Sequence, residues 1–262
     1  MSSIAKIHFL LDFINSYFDI STILYKFVGQ LLHLPNSYLS MRNRLNNLSK
    51  QHSIINNFIA ELRSVDIQSD SMRFRKNLER IGALMAYEIS KVLAYEQKTV
   101  ETPLGEAEIQ VFKQQPVLAT IMRAGLPMHH GMLSVFDRAQ NAFVSAYRRH
   151  HKDGSFEINM EYVSSPDLTD SILIICDPML ATGSSMDVCI SELIKHGEPS
   201  EIHIAVAIAA QDGIEHIQRV HPNITLWVAA VDEELTAKSY IVPGLGDAGD
   251  LAFGAKAEDE LG

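Results

Sequence analysis

The spacing of apolar and polar positions changes period several times along the chain. From Asn56 to Leu93 the apolar residues recur at helical intervals: Phe58, Ile59 and Leu62 in one stretch, Leu78, Ile81, Leu84, Met85 and Ile89 in the next. Asp70 or Ser71 is placed to cap the second helix. Thr102-Pro103-Leu104-Gly105 predicts a turn, and the alternation of Ala107, Ile109 and Val111 a strand. Val117–Met122 and Ala142–Ala146 are short apolar runs suited to buried strands, while Glu157–Val163 alternates as a half-exposed one. Ser171–Cys176 predicts another buried strand, followed by a helix over Met186–His196 that Gly197 closes. Ile202–Ala209 and Ile224–Val231 predict two more strands, with a helix between them over Asp212–His221 that stops before Pro222. Strands alternating with helices predict an α/β fold, a mostly parallel sheet flanked by helices on both faces. The pattern is that of one domain, residues 48–262, preceded by an N-terminal extension, residues 1–47.

The extension has a different character. Phe9, Phe13, Tyr17, Ile20, Leu24, Phe27 and Leu31 recur at helical spacing and suggest an amphipathic helical hairpin. Lys6, His8, Asp12, Asn15, Asp19 and Lys26 interrupt it, so it is neither a membrane span nor a clean signal peptide. Three readings stay open: accessory helices packed on the body or on a partner subunit, a segment lying on a membrane surface, or residues that do not belong to the natural protein. The last is favoured, because Met41 and the basic, polar stretch after it would make an ordinary start.

Composition narrows the function classes. In 262 residues, 47% are hydrophobic and 21% charged, the balance of a soluble globular protein. The net charge of −10 disfavours general nucleic-acid binding, though not a small basic pocket for a phosphorylated metabolite. Two cysteines, Cys176 and Cys189, form no metal-binding pair and no disulfide framework, which suits a reducing cytoplasm. The doublets His129-His130 and His150-His151 lack metal-ligand spacing.

The stretch richest in chemistry is Asp177-Pro178-Met179-Leu180-Ala181-Thr182-Gly183-Ser184-Ser185, placed after a buried strand and before a helix. In an open α/β sheet that is where ligands bind. Small residues let the backbone come close to a ligand, the helix start adds partial positive charge, and the hydroxyls add donors, which together suit a phosphate monoester. Asp177 is placed to accept from ribose hydroxyls or to face Mg²⁺ through water. The plain alternative is a strand–turn–helix corner capped by Thr and Ser.

This stretch resembles the PRPP (5-phosphoribosyl 1-diphosphate) motif of type I phosphoribosyltransferases. The usual second acid is replaced by Pro178, which is the pattern of the uracil phosphoribosyltransferase branch. Ile121-Met122-Arg123-Ala124-Gly125-Leu126 resembles that branch's diphosphate loop, with Gly125 expected to allow an unusual turn. Tyr240-Ile241-Val242-Pro243-Gly244-Leu245-Gly246-Asp247-Ala248-Gly249-Asp250 resembles its uracil loop. The resemblance runs from about Leu48 to Ala255. It implies that Arg123, Arg148, the residues Asp177 to Ser185 and Asp247 bind PRPP. It also implies that Tyr240, Ile241, Gly246, Asp247 and Ala248 line the base site, with Arg123, Asp177 and Asp247 taking part in catalysis.

The implied reaction is transfer of the phosphoribosyl group of PRPP to uracil, giving UMP and diphosphate in pyrimidine salvage. No direct metal ligand is implied, since Mg²⁺ comes with PRPP. GTP is a candidate activator, and a homodimer or larger homo-oligomer is the expected assembly. A second reading is a regulator of the same fold that senses PRPP or UMP and binds nucleic acid, which the acidic charge opposes. A third is the same fold acting on a purine, which the Tyr240–Asp250 match opposes. Gly244-x-Gly246-x-x-Gly249 imitates a dinucleotide fingerprint, but Pro243 precedes it and too little chain follows for a βαβ unit.

Overall fold

The structure is a computed structural model that describes residues 44–150 and 156–255, with side chains left aside at 146–150 and 156–159. The N-terminal hairpin expected over Phe9–Leu31, and His151 of the second histidine doublet, lie outside the described residues.

Seven strands form one sheet in the order β1-β9-β8-β7-β4-β5-β6. They are β1 (Leu45–Asn47), β4 (Val117–Met122), β5 (Gln140–His150), β6 (Phe156–Ser164), β7 (Ile172–Leu180), β8 (Glu201–Ala210) and β9 (Thr225–Asp232). All neighbours run parallel except β5 and β6, so the fold is the expected mostly parallel α/β sheet. Outside it, β2 (Tyr95–Thr102) and β3 (Gly105–Phe112) form an antiparallel hairpin around the expected turn. A second small pair joins β10 (Glu234–Leu235) to β11 (Ile241–Val242).

Both faces of the sheet are apolar and both are covered. Leu118, Ile174, Cys176, Ala205, Ala207, Trp227 and Ala229 face one core, with α1 (Ile54–Arg63), α2 (Ser71–Ser90) and α3 (Leu126–Leu133). The alternate residues Ala119, Leu173, Ile175, Ile204, Val206, Leu226 and Val228 face the other, under α4 (Ser184–Leu193) and α5 (Gln211–Val220). Successive side chains of a strand point to opposite faces, so strands covered on both sides are apolar at nearly every position. Asp70 caps α2 by accepting from the N–H groups of Met72 and Arg73, at 3.0 Å each. Helix α2 meets α3 at two glycines: a β-carbon on Gly82 would collide with the carbonyl of Met128, and one on Gly131 with that of Glu79. Among the described residues no helix is long and apolar enough to cross a membrane.

Chain order sets the place for a site. The strands β4, β5 and β6 step outward in one direction, then the chain returns to lay β7 on the other side of β4 and steps outward again. The loops leaving β4 and β7 therefore emerge side by side and diverge, forming a crevice at the carboxyl edge of the sheet.

Candidate functional site

Three segments meet at that edge. The first follows β4. Arg123 is partly exposed, with Nη2 donating to the Gly254 carbonyl at 3.2 Å and lying 3.7 Å from Asp250 Oδ1. Its Nε is buried without a hydrogen-bond partner among the described residues, a donor in want of an acceptor. The Met122–Arg123 peptide is cis. Gly125 corrects the expectation of an unusual turn, because its backbone is ordinary right-handed helical, φ −72° and ψ −19°. Glycine is needed there for closeness instead. A β-carbon would collide with Thr120 Oγ1 and stand 2.8 Å from the Ile121 carbonyl and 2.9 Å from that of Cys176.

The second segment is the Asp177–Ser185 stretch, and here the structure moves a boundary. Asp177, Pro178, Met179 and Leu180 belong to β7 and not to the loop, because pairing with β8 continues through Met179–Ile208 and Leu180–Ala209. Pro178 is tolerated because that register skips it and pairing with β4 ends at Cys176. Asp177 is partly exposed as a residue, yet burial of its carboxyl group pushes its pKa up to about 8, against the lowering effect of a hydrogen bond from the Met179 N–H. The Cys189 thiol on α4 is pushed up chiefly by burial and secondarily by the Asp177 charge, which puts that carboxyl on the α4 side of the sheet. Burial pushes the neighbouring Cys176 thiol up to about 12, so it is no nucleophile.

The loop proper is Ala181-Thr182-Gly183. Gly183 is left-handed at φ 84° and forms the N-cap of α4 without a side chain to bond the helix N–H groups. Thr182 Oγ1 lies 3.1 Å from Ser184 Oγ, and Ser185 is partly exposed beside them. The loop is braced from behind by α5. A β-carbon on Gly183 would stand 2.9 Å from His216 Cδ2, and one on Gly213 would collide with the Ala181 carbonyl. The Ser184 N–H turns back to Thr182 Oγ1 at 3.4 Å, and the three hydroxyls with the helix start suit an anion.

The third segment follows β9. Val242–Pro243 is cis, Gly244 has φ 58° and Gly246 φ 92°. Asp247 caps a short helix, α6 (Ala248–Phe253), by accepting from the Asp250 N–H at 2.9 Å. Ile241 and Ala248 are buried, while Tyr240 is half exposed. A concavity of about 410 Å³ is lined by Gly246, Asp247 and Asp250 and by Gln68, Ser69 and Ser71 from the α1–α2 turn.

The Arg123–Asp250 approach joins the first segment to the third, and β4–β7 pairing sets the first beside the second. Arg148 lies in β5 past Ser145, the last residue paired with β4, so its backbone reaches beyond the edge. His129 is buried against Phe143, with ring centroids 5.3 Å apart, and burial holds its pKa down, so it belongs to the core. Arg73 pairs with Glu61, and Arg75 donates to the Ala252 carbonyl, so that cluster is used within the chain.

Two residues of this region carry no local sequence signal. Arg63, ending α1, donates from Nη1 and Nη2 to both carboxylate oxygens of Asp232, ending β9, at 2.8 and 2.7 Å. The pair also holds Gly244 by both backbone groups: its N–H donates to Asp232 at 2.9 Å and its carbonyl accepts from Arg63 at 3.0 Å.

A mostly parallel sheet with a small-residue loop and helix start after β7 and an arginine loop after the adjacent β4 is the arrangement that the resemblance to type I phosphoribosyltransferases implies. Within that class, the chain belongs to the uracil phosphoribosyltransferase family, whose model matches residues 49–255. It is similar to a uracil phosphoribosyltransferase of Porphyromonas gingivalis, 55% identical over 210 residues that cover 80% of this chain and 97% of that protein. One from Pyrococcus furiosus is 42% identical over 199 residues, 75% and 84% of the two chains. A solved structure, that of the AQ2163 protein from Aquifex aeolicus, matches with a TM-score of 0.72 and 31% identity over 80% of this chain and 98% of that one.

Proposed function

We propose that this protein transfers the phosphoribosyl group of PRPP to uracil, giving UMP and diphosphate. The observation that carries the reading is the convergence, at one sheet edge, of the cradle at Ala181–Ser185, the Arg123 loop and the Tyr240–Asp250 loop. The 5′-phosphate sits on the α4 N-terminus, where the N–H groups and hydroxyls meet it. Asp177 accepts from the ribose hydroxyls. Arg123, whose Nε–H has no partner among the described residues, and Arg148 hold the diphosphate by charge-assisted bonds.

Uracil lies on the Tyr240–Ala248 loop, which matches its two carbonyls and N3–H with backbone groups. Cytosine reverses the pattern at positions 3 and 4 and leaves buried groups unpaired, a cost of about 1–3 kcal/mol each. The bond from C1′ to diphosphate breaks and its electron pair leaves with the diphosphate. Uracil N1 bonds to C1′ from the opposite face and loses its proton, for which Asp247 is the nearest carboxylate. The chain's part is positioning and neutralising the leaving group.

Mg²⁺ fits as a companion of PRPP. The donor set offers hard oxygens (Asp177 and the loop hydroxyls), while the described residues contain no group of three ligands that would cage an ion. Asp177 and the loop hydroxyls would face it, and the chemistry it would supply is neutralisation of the charge that develops on the leaving group. A cytoplasmic homo-oligomer, with GTP as activator, completes the proposal on family resemblance. The test is conversion of uracil and PRPP to UMP, with cytosine and hypoxanthine in parallel. UMP from uracil alone supports the reading, and a purine nucleotide overturns it.

A further inference from the structure

We infer that Arg63 and Asp232 are positioning residues for the pyrimidine base, acting through the backbone of Gly244. The inference rests on the proposed uracil reading and adds how the base loop keeps its shape. Gly244 is left-handed at φ 58°, and a β-carbon there would collide with the Ile241 carbonyl. The backbone bends sharply at this point, two residues before Gly246 and three before Asp247. Both of its backbone polar groups are taken by one ion pair, the N–H by Asp232 and the carbonyl by Arg63.

The geometry requires a guanidinium. Arg63 Nη1 serves Asp232 Oδ2 and the Gly244 carbonyl at once, while Nη2 serves Asp232 Oδ1. A lysine ammonium is a point charge that lacks this planar fork. The side chains are 23% and 5% exposed, so the pair is well removed from water. Desolvation offsets much of the attraction in such a pair, so its net stabilisation is small, whereas its directional bonds fix geometry. Arg63 is itself held from behind, because Gln68 Nε2 donates to its carbonyl at 3.1 Å and to that of Leu62 at 3.3 Å. The α1–α2 turn thus ties the base loop to the end of β9.

The test compares Arg63→Lys and Asp232→Asn with wild type for KM of uracil, KM of PRPP, kcat and melting temperature. The expected result is a rise of about tenfold or more in the KM for uracil. The KM for PRPP should stay within about twofold. The double variant should be no worse than the more affected single one, because both changes break the same device. Two variants guard against one that does not fold. If the two KM values rise together with the loss of stability, or if the uracil KM stays put in a folded variant, the inference falls. Wild type separates the levels: UMP from wild type with an unmoved uracil KM in Arg63→Lys overturns this inference alone. No UMP from wild type overturns the proposed function with it.

Discussion

Arg123 Nη2 stands 3.7 Å from Asp250 Oδ1, so the loop after β4 and the loop after β9 meet at a cation–carboxylate approach. Both side chains are substantially exposed, at 38% and 45%, and such a pair adds little stability. Its place suits an exchange of partners, with the diphosphate displacing Asp250. Arg123→Ala should therefore melt within about 2 °C of wild type. It should lose about 10²- to 10³-fold in kcat/KM, the usual effect of removing one donor from a developing anion. Initial rates and a thermal melt on the same preparation check both halves.

Gly183→Ala places a side chain at φ 84° and 2.9 Å from His216. The left-handed conformation alone costs about 1–2 kcal/mol. The loop is expected to relax away from α5, raising the KM for PRPP more than that for uracil. Chemical denaturation and the two KM values measure this, and equal shifts in both would contradict the assignment of the cradle to PRPP.

Asp177 gives the protein a pH signature. Its pKa, about 8, lies above the ordinary aspartate value of 3.8, so the folded state holds a proton that the unfolded state has released. This contribution to stability is full below about pH 4 and is lost as pH rises towards 8. The urea midpoint of the ligand-free protein should fall over that interval more steeply than in Asp177→Asn. Ribose hydroxyls favour the carboxylate, so PRPP binding should release a proton and tighten from pH 6 to 8. Calorimetry in buffers of different ionisation enthalpy reads that proton directly.

Gly131→Ala drives a β-carbon into the Glu79 carbonyl where α2 crosses α3. Overpacking of this kind costs about 1–3 kcal/mol. The melting temperature should drop by several degrees, which a thermal melt beside wild type checks.

The elements that were plain in the sequence are those buried on both faces. The apolar runs at Val117–Met122, Ile202–Ala209 and Ile224–Val231 sit within a residue of β4, β8 and β9, because strands covered on both faces are apolar at nearly every position, with Thr120 and His203 the buried exceptions. Strand β2 had no such mark, since Tyr95–Thr102 alternates little and is mostly exposed. The end of β7 is not legible in composition, because the polar Asp177 and Pro178 end the apolar run, and only the register with β8 carries the strand to Leu180. Helix α3 has no sequence mark, because Leu126–Leu133 mixes Pro, Gly and two His among few residues.

The site divides in the same way. The loops proposed to bind PRPP and uracil carry runs of Gly, Ser, Thr and Pro and are legible in composition. Arg63 and Asp232 are 169 positions apart, and neither flank distinguishes them from any surface charge. The α1–α2 turn with Gln68 became part of the concavity only once α1 and β9 were brought together.

The most direct measurement is the stoichiometry of one reaction: folded protein, PRPP, Mg²⁺ and a single base, with nucleotide and diphosphate quantified together. The account expects UMP and diphosphate in equal amounts from uracil, and neither from cytosine or hypoxanthine. Nucleotide formed from hypoxanthine, or no product from uracil with folded protein in the presence of GTP, would contradict it.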